Sequence, residues 1–136
     1  MAAINRVIVD TGPLVGVFDP DDQWHQKVEP TFSRLPVPLI TCEAVLSEAD
    51  YLLGGRRDRL WEFWRRGGLE VVPLFPKEGS RITELIRQYS ASIQLADASV
   101  IRLSELWPQA KVFTTDTSDF QIYRRNRNQP IPLLEF

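Results

Sequence analysis

Short apolar segments of strand type alternate with longer segments of helical period along this chain. The strand-type segments span residues 6–9, 38–41, 69–73, 111–115 and 131–134. Apolar residues recur with the period of an amphipathic helix across residues 22–35, 43–53, 56–66, 77–89 and 96–106. Gly54-Gly55 and Gly67-Gly68 follow two of these helical segments, where glycine commonly ends a helix.

This alternation of strands with helices predicts an α/β fold, because each helix returns the chain to the start of another parallel strand. We expect a three-layer α/β/α sandwich with a five-stranded parallel sheet. The chain has 136 residues, of which 43% are hydrophobic, so it is long enough to bury a core, and residues 1–136 are expected to form a single domain. In such sheets, ligands bind beyond the carboxyl ends of the strands.

The composition gives a weaker indication of the compartment. No charged-then-apolar leader opens the chain and no apolar run is long enough to cross a bilayer, so we expect no membrane association. Cys42 is the only cysteine, which excludes an internal disulfide. A cytoplasmic location is therefore expected.

Four carboxylates stand where an α/β fold would bring them together. Asp10 and Asp116 end strand-type segments, whereas Glu48 and Asp97 lie in the apolar stripes of predicted helices. Two like charges about 4 Å apart repel by roughly 4 kcal/mol at an effective dielectric of 20, so a cluster of acids implies a cation. Mg²⁺ and Mn²⁺ prefer oxygen ligands. Zinc is disfavoured, because one histidine and one cysteine cannot form a nitrogen- and sulfur-rich site.

Glu48 is the most informative of the four. At about 100° per residue along a helix, it falls between Ala44 and Leu52, inside or at the edge of the apolar arc. Glu43 falls on the opposite, polar side. The alternative explanation for Glu48 is a glutamate at the edge of the arc that reaches out to water.

Asp97 has a similar position on its predicted helix. Val100 and Ile101 follow it by three and four residues, whereas Ser99 and Arg102 are expected on the far side. The helix dipole favours an aspartate in a first turn. That effect explains an acid near a helix start, but not one on the buried face.

Asp10 and Asp116 each have an ordinary structural alternative. Asp10 could cap a short helix that begins near Pro13. Asp116 precedes Asp119 by three residues after a strand, an arrangement similar to a capping box. Only the convergence of all four acids favours a functional site.

The arginines are clustered although the formal net charge is −2. One group comprises Arg56, Arg57, Arg59, Arg65 and Arg66, and the other comprises Arg124, Arg125 and Arg127. Such clusters could bind a phosphate backbone or could form ordinary solvated faces, and the sequence leaves both open.

Aromatic residues near the first arginine group have two explanations as well. Trp61 or Trp64 could stack on bases. The helical spacing of Leu60, Phe63 and Trp64 favours a core or dimer contact instead. His25 is expected to be a surface residue rather than a general base.

The four acidic segments, taken in order, resemble the motifs of the PIN-domain ribonucleases, and most closely those of the toxins of VapBC toxin–antitoxin systems. IVDTGPLV at residues 8–15 is similar to the first acidic motif, and VLSEA at 45–49 is similar to the second. LADAS at 95–99 resembles the third. FTTDTSDF at 113–120 resembles the fourth, in which Thr114 begins a Thr-x-Asp element. The resemblance covers essentially the whole chain.

The resemblance implies a pocket that binds Mg²⁺ or Mn²⁺ and hydrolyses RNA phosphodiester bonds. Asp10 and Asp97 would be the leading metal ligands. Glu48 and Asp116 would complete the metal site or hold its water, with Asp119 assisting. The resemblance also implies a homodimer and a cognate antitoxin protein as a partner.

Other functions fit the sequence less well. A catalytically silent PIN-like module that binds RNA or protein would keep the fold and the arginine patches. Asp10-Thr11-Gly12 is also the triplet of aspartic proteases, but those enzymes need all-β lobes. A phosphatase or receiver domain also uses strand-end aspartates, yet it leaves Glu48 and Asp97 unexplained.

Overall fold

The computed structural model describes residues 6–90 and 92–136 and is built around a parallel sheet of four strands. The strands are β1 (Val7–Val9), β2 (Leu39–Cys42), β3 (Leu69–Val72) and β4 (Lys111–Phe113), in the order β3-β2-β1-β4. Ile8 pairs with Ile40 on one side of β1 and with Val112 on the other. β1 therefore lies inside the sheet, and its carboxyl end opens at the centre of one edge.

Helices flank the sheet. They are α1 (Thr11–Phe18), α2 (His25–Phe32), α3 (Glu43–Leu53), α4 (Arg57–Arg65), α5 (Gly79–Gln88), α6 (Leu95–Leu106) and α7 (Thr117–Ile122). Consecutive residues of β1 and β2 are all buried, so both faces of the sheet are covered, as expected for parallel strands. Helix α6 packs across β1, β2 and β4, while α1 packs against α2, α3 and α4. The predicted α/β architecture is confirmed.

The fifth predicted strand is wrong. Residues 131–134 contribute one parallel bridge, between Leu133 and Val112, instead of a strand. Val112 donates its N–H to the carbonyl of Pro132 at 2.8 Å and accepts from Leu134 N–H at 2.9 Å. Pro132 has no N–H to donate, so the ladder cannot continue through this segment. Before it, β5 (Arg124–Arg125) and β6 (Gln129–Pro130) form a small antiparallel hairpin.

The helix boundaries follow from local sequence. α3 spans the predicted residues and ends at Gly54, whose φ of 54° lies in the region that glycine adopts without strain. α4 is followed by Gly67 at a φ of 87°. α7 was not predicted, and α1 begins at Thr11, ahead of Pro13. Both of these short helices begin just beyond a strand end, so they set the backbone around Asp10 and Asp116.

No helix in the part of the chain that the structure describes is both long and apolar enough to span a membrane.

Candidate active site

A cleft of about 310 Å³ opens at the carboxyl edge of the sheet. Its lining residues are Asp10, Thr11, Gly12, Glu48, Leu52, Ser92, Gln94, Asp97, Thr115, Asp116 and Asp119. The fold thus brings all four predicted acids into one cleft, together with Asp119, the acid expected to assist them. None of the lining residues described is a lysine, arginine or histidine. The walls therefore carry negative charge without a basic side chain to balance it.

Asp10 lies deepest in this cleft, with 5% of its surface exposed. It occupies the N-cap position of α1 but makes no side-chain capping bond, so the capping alternative does not hold. Its Oδ2 accepts a hydrogen bond from the Thr114 hydroxyl at 2.8 Å. The same hydroxyl oxygen accepts the N–H of Asp116 at 3.0 Å. Thr114 therefore connects the acid after β1 to the backbone of the acid after β4.

Burial raises the pKa of Asp10 to about 6. Hydrogen bonds from the Thr11 backbone and the Thr114 side chain lower that pKa by less, and the charges of Glu48 and Asp116 raise it further. A buried carboxyl group without a cation nearby holds its proton more tightly in this way. No residue that lines the cleft supplies the positive charge that would lower this pKa.

Asp97 lies in the first turn of α6 and is half-buried. The pKa of Asp97 is raised to about 7. Burial is the largest cause, and the charges of the other acids raise it further, in the order Asp10, Asp116, Glu48 and Asp119. Every other acid of the cleft therefore acts on Asp97. A helix dipole alone would lower the pKa of a first-turn aspartate, which is the opposite direction.

The neighbours of Asp97 differ in part from the sequence prediction. Val100 and Ile101 are fully buried, as expected. The sequence pattern predicts Ser99 on the far side of the helix, but Ser99 is only 1% exposed. The reason is that α6 is covered on nearly all sides by the sheet, α3 and α5. Arg102 is half-buried and donates to Glu78, with a second bond to Glu105.

Glu48 and Glu43 fall on different faces of α3, as the helical geometry predicted. Glu48 is half-buried and lines the cleft together with Leu52, one turn further along the helix. Glu43 is exposed and does not line the cleft. The two glutamates therefore form a matched pair on one helix, with only one of them facing the other acids.

Asp116 and Asp119 form the outer wall of the cleft. Asp116 is the N-cap residue of α7 and makes no side-chain capping bond. Burial is the largest cause that raises the pKa of Asp116, and hydrogen bonding with the Asp119 side chain and the charge of Asp119 raise it further. Besides its position at the start of α7, Asp116 therefore forms a pair of interacting acids with Asp119.

The donor set of the cleft fits a hard divalent cation. Its charged ligand candidates are all carboxylates, and it offers no imidazole or thiolate, so Mg²⁺ or Mn²⁺ suits it better than zinc. Across residues 6–90 and 92–136, no three acidic, histidine or cysteine side chains already stand at the spacing of a finished metal site. Asp10, Glu48, Asp97, Asp116 and Asp119 are the residues that could converge on an ion.

The first arginine group is held mainly by internal ion pairs away from this cleft. Arg56 contacts Asp19 and Asp21, and Arg57 contacts Asp50. Arg65 and Arg66 both contact Glu62. These pairs leave less net positive charge on α4 than the sequence suggests.

Two members of the second arginine group, Arg124 and Arg125, contact main-chain carbonyls. Arg124 donates to three carbonyls at the end of α7, including that of Gln121 at 2.7 Å. Arg125 donates to Ser104 and Pro108. Neither arginine lines the cleft.

His25 and the tryptophans also lie outside the cleft. His25 is half-buried, with its Nδ1 at 2.7 Å from the Gly16 carbonyl. Trp61 donates its Nε1–H to Asp50 at 2.8 Å, and Trp64 is 49% exposed. The structure therefore gives His25 no place beside the acids.

The comparison with solved structures agrees with this architecture. The chain is similar to the crystal structure of VapC20 from Mycobacterium tuberculosis, which is described as a sarcin-ricin loop cleaving toxin. The TM-score is 0.69 at 19% sequence identity, over 83% of this chain and 93% of VapC20. VapC20 has a PIN-domain fold. This chain has the PIN-domain fold.

Sequence comparison adds no further relative. No family model matches the chain, and no curated protein matches it significantly either. At 19% identity the likeness to VapC20 establishes the fold alone.

Two features of this PIN-domain cleft were not predicted from the sequence. Gly12 packs so closely on Thr115 that a Cβ at residue 12 would lie 1.9 Å from Thr115 Oγ1. Tyr123 places its hydroxyl 3.5 Å from Asp97 Oδ2. The acidic motifs are recognisable by spacing, but a close approach of two loops or one tyrosine beyond a short helix has no periodic signal.

Proposed function

We propose that this chain is a ribonuclease that depends on Mg²⁺ or Mn²⁺ and hydrolyses RNA phosphodiester bonds. The observation that carries the proposal is the gathering of five carboxylates, with no basic lining residue, at the carboxyl edge of a PIN-domain sheet. The raised pKa values of Asp10 and Asp97 support it, because they report a site whose negative charge lacks a partner.

Asp10 and Asp97 are proposed as the leading metal ligands, with Glu48 and Asp116 completing the site and Asp119 assisting. Thr114 holds Asp10 by its hydroxyl, so the carboxylate has one defined orientation toward the cleft. A bound Mg²⁺ or Mn²⁺ would supply Lewis-acid chemistry that makes water a better nucleophile and offsets charge on the phosphate.

Electrostatics explain why the cation is central to the proposal. A phosphodiester is an anion, and the cleft wall consists of acids without a neighbouring lysine or arginine. The substrate and the bare cleft therefore repel each other. The side chain of Thr11, which lines the cleft, has a buried hydroxyl with no partner among the described residues.

The proposal extends to the biological role. VapC20 is described as a toxin, and by analogy we propose that this chain is the toxin of a type II toxin–antitoxin system, acting in the cytoplasm. A cognate antitoxin and a second copy of the chain are the proposed partners. A groove has apolar lining from Leu46, Trp61, Trp64 and Val71 and polar lining from Glu43, Ser47 and Asp50. The exposed ring of Trp64 in this lining supports a protein contact on that face.

A cleavage assay tests the proposed activity. Purified protein, freed of any antitoxin, is incubated with RNA and Mn²⁺, with and without a chelator, and with DNA of the same sequence. We expect cleavage of RNA that the chelator and Asp97→Asn abolish. Glu43→Gln is the matched control and should cleave like the wild type, because Glu43 is exposed outside the cleft.

Two outcomes would reject the proposal. If the wild type binds RNA but never cleaves it with Mn²⁺ or Mg²⁺, the chain is a silent binding module. If cleavage persists in chelator and in Asp97→Asn, a contaminating nuclease or a different site is responsible.

A further inference from the structure

Tyr123 follows α7 at its C-cap and reaches back beneath the acidic cleft. It is 2% exposed, so its hydroxyl is removed from bulk water. The bond that this hydroxyl makes is with Asp97, at 3.5 Å to Oδ2. A buried phenol hydroxyl needs an acceptor, and a carboxylate is the strongest one available.

The ring of Tyr123 is held on two sides. It packs edge-on against Tyr89, with ring centroids 5.1 Å apart, and against Phe120 at 5.2 Å. Its backbone N–H donates to the Asp119 carbonyl at 3.0 Å. The packed ring therefore holds the hydroxyl next to Asp97, so little side-chain entropy is lost when the hydrogen bond to Asp97 forms.

The 3.5 Å separation is long for an O–H···O bond, whose usual length is about 2.7–2.8 Å. Bonds of this kind often shorten only when a site is loaded. Metal ligands are commonly oriented by a second hydrogen bond from a neighbouring group, and losing that group weakens metal binding about 10- to 100-fold.

We propose that Tyr123 is a positioning residue, whose hydroxyl orients the Asp97 carboxylate for a divalent cation. This inference rests on the proposed function, since it presupposes that Asp97 is a metal ligand. It adds a residue that no acidic motif contains. Tyr123 itself would touch neither the ion nor the RNA.

Metal affinity, rather than activity alone, tests this role. Mn²⁺ binding by calorimetry is compared among the wild type, Tyr123→Phe and Tyr89→Phe, together with the melting temperature in chelator. Tyr123→Phe keeps the ring and removes only the hydroxyl, and we expect its dissociation constant for Mn²⁺ to rise roughly tenfold or more. Its melting temperature in chelator should stay near that of the wild type.

Tyr89→Phe is the matched control. Its ring packs on Tyr123, but its hydroxyl accepts the N–H of Arg124 at 2.9 Å, and no hydrogen bond from it to an acid of the cleft is seen among the described residues. We expect this variant to bind Mn²⁺ like the wild type. Equal weakening in both variants would mean that loosening the tyrosine pair is responsible, which would overturn the proposal.

A second measurement needs no substitution at Tyr123. The chain has three tyrosines, and ¹³Cζ labelling reports on each phenol. We expect Mg²⁺ to shift the resonance of Tyr123 and to leave that of Tyr51, which is 83% exposed, unchanged. No shift at Tyr123 would overturn the inference.

The two proposals fail in different ways. Wild-type protein that binds no Mn²⁺ rejects the metal-dependent function and this inference with it. Wild-type protein that binds Mn²⁺ and cleaves RNA, beside a Tyr123→Phe variant of equal affinity, rejects this inference alone.

Discussion

Thr114 donates its hydroxyl proton to Asp10 Oδ2 at 2.8 Å, across 104 residues of sequence. Its own oxygen accepts the N–H of Asp116 at 3.0 Å. One buried side chain thus sets both the rotamer of the deepest acid and the backbone of an acid on the outer wall. This contact is possible because β1 and β4 are hydrogen-bonded neighbours, with Val9 opposite Phe113.

Removing the Thr114 hydroxyl should therefore affect the cleft more than the fold. In Thr114→Val we expect Mn²⁺ affinity to fall about 10- to 100-fold. The loss of folding free energy should be about 1–3 kcal/mol, because a buried hydrogen bond is removed and its partner N–H is left unpaired. Calorimetric titration and denaturant unfolding measure the two effects.

Thr41→Val provides the control for this prediction. Thr41 is equally buried, and its hydroxyl donates to the main-chain carbonyl of Val9 at 3.2 Å instead of to the carboxylate of an acid. It should lower stability without lowering metal affinity. If both variants lose the same affinity, Thr114 has no special connection with the site.

Gly12→Ala should disturb the acidic cleft through a steric clash between the added methyl group and Thr115. A Cβ at residue 12 would lie 1.9 Å from Thr115 Oγ1 and 3.1 Å from its Cβ, so the Thr115 side chain must rotate and the backbone near one of the two residues must shift slightly. Overpacking of this kind costs about 1–3 kcal/mol. We expect lower stability and loss of RNA cleavage. Gly55→Ala, with nothing within 4 Å of the added methyl group, should retain both.

Two acids of the cleft whose pKa values are strongly raised predict how stability depends on pH without metal. Their pKa values rise from 3.8 to about 6 for Asp10 and about 7 for Asp97. The folded state then holds protons that the unfolded chain has released, so these groups make stability fall as pH rises through that interval. Asp10 and Asp97 should therefore change the free energy of unfolding least near pH 4.

Asp10→Asn isolates this effect in chelating buffer. Above pH 6 the variant should unfold at a higher temperature than the wild type, by an amount that corresponds to about 3 kcal/mol at most. The difference should shrink toward zero near pH 4. Melting curves across this range measure it, and a variant less stable than the wild type at neutral pH would contradict the predicted repulsion.

Glu48→Gln and Glu43→Gln should differ although both lie on α3. Glu48 lines the cleft beside the other acids. Removing its charge should therefore lower the rate of cleavage by about 10- to 100-fold or more, since this is the loss typical of groups around a metal site. Glu43 is exposed and its variant should be nearly neutral. An inactive Glu43 variant beside an active Glu48 variant would show that the wrong face of α3 was chosen.

Much of the fold was predictable because the relevant signals are local. The apolar stripe of residues 43–53 and the glycine after it determined α3 to the residue, and with it the opposite directions of Glu48 and Glu43. The presence of Asp10 and Asp116 at one sheet edge followed from the rule that parallel strands share their carboxyl ends.

The parts that were missed depend on contacts that no local pattern carries. The segment 131–134 is apolar enough for a strand, but Pro132 interrupts its hydrogen bonds and only the Leu133 bridge forms. Ser99 is polar by type, yet it is buried because α6 is enclosed by other elements. Tyr123 reaches Asp97 only through the turn of α7, which itself was too short to predict.

The proposed activity depends most directly on these acids binding one divalent ion together. Mn²⁺ titration of the chelator-stripped protein near pH 8, where Asp10 and Asp97 are ionised, tests this point. We expect saturable binding in the wild type and in Glu43→Gln, and a large loss of affinity in both Asp10→Asn and Asp97→Asn. Absence of binding in the wild type, or undiminished binding in both aspartate variants, would contradict the shared site.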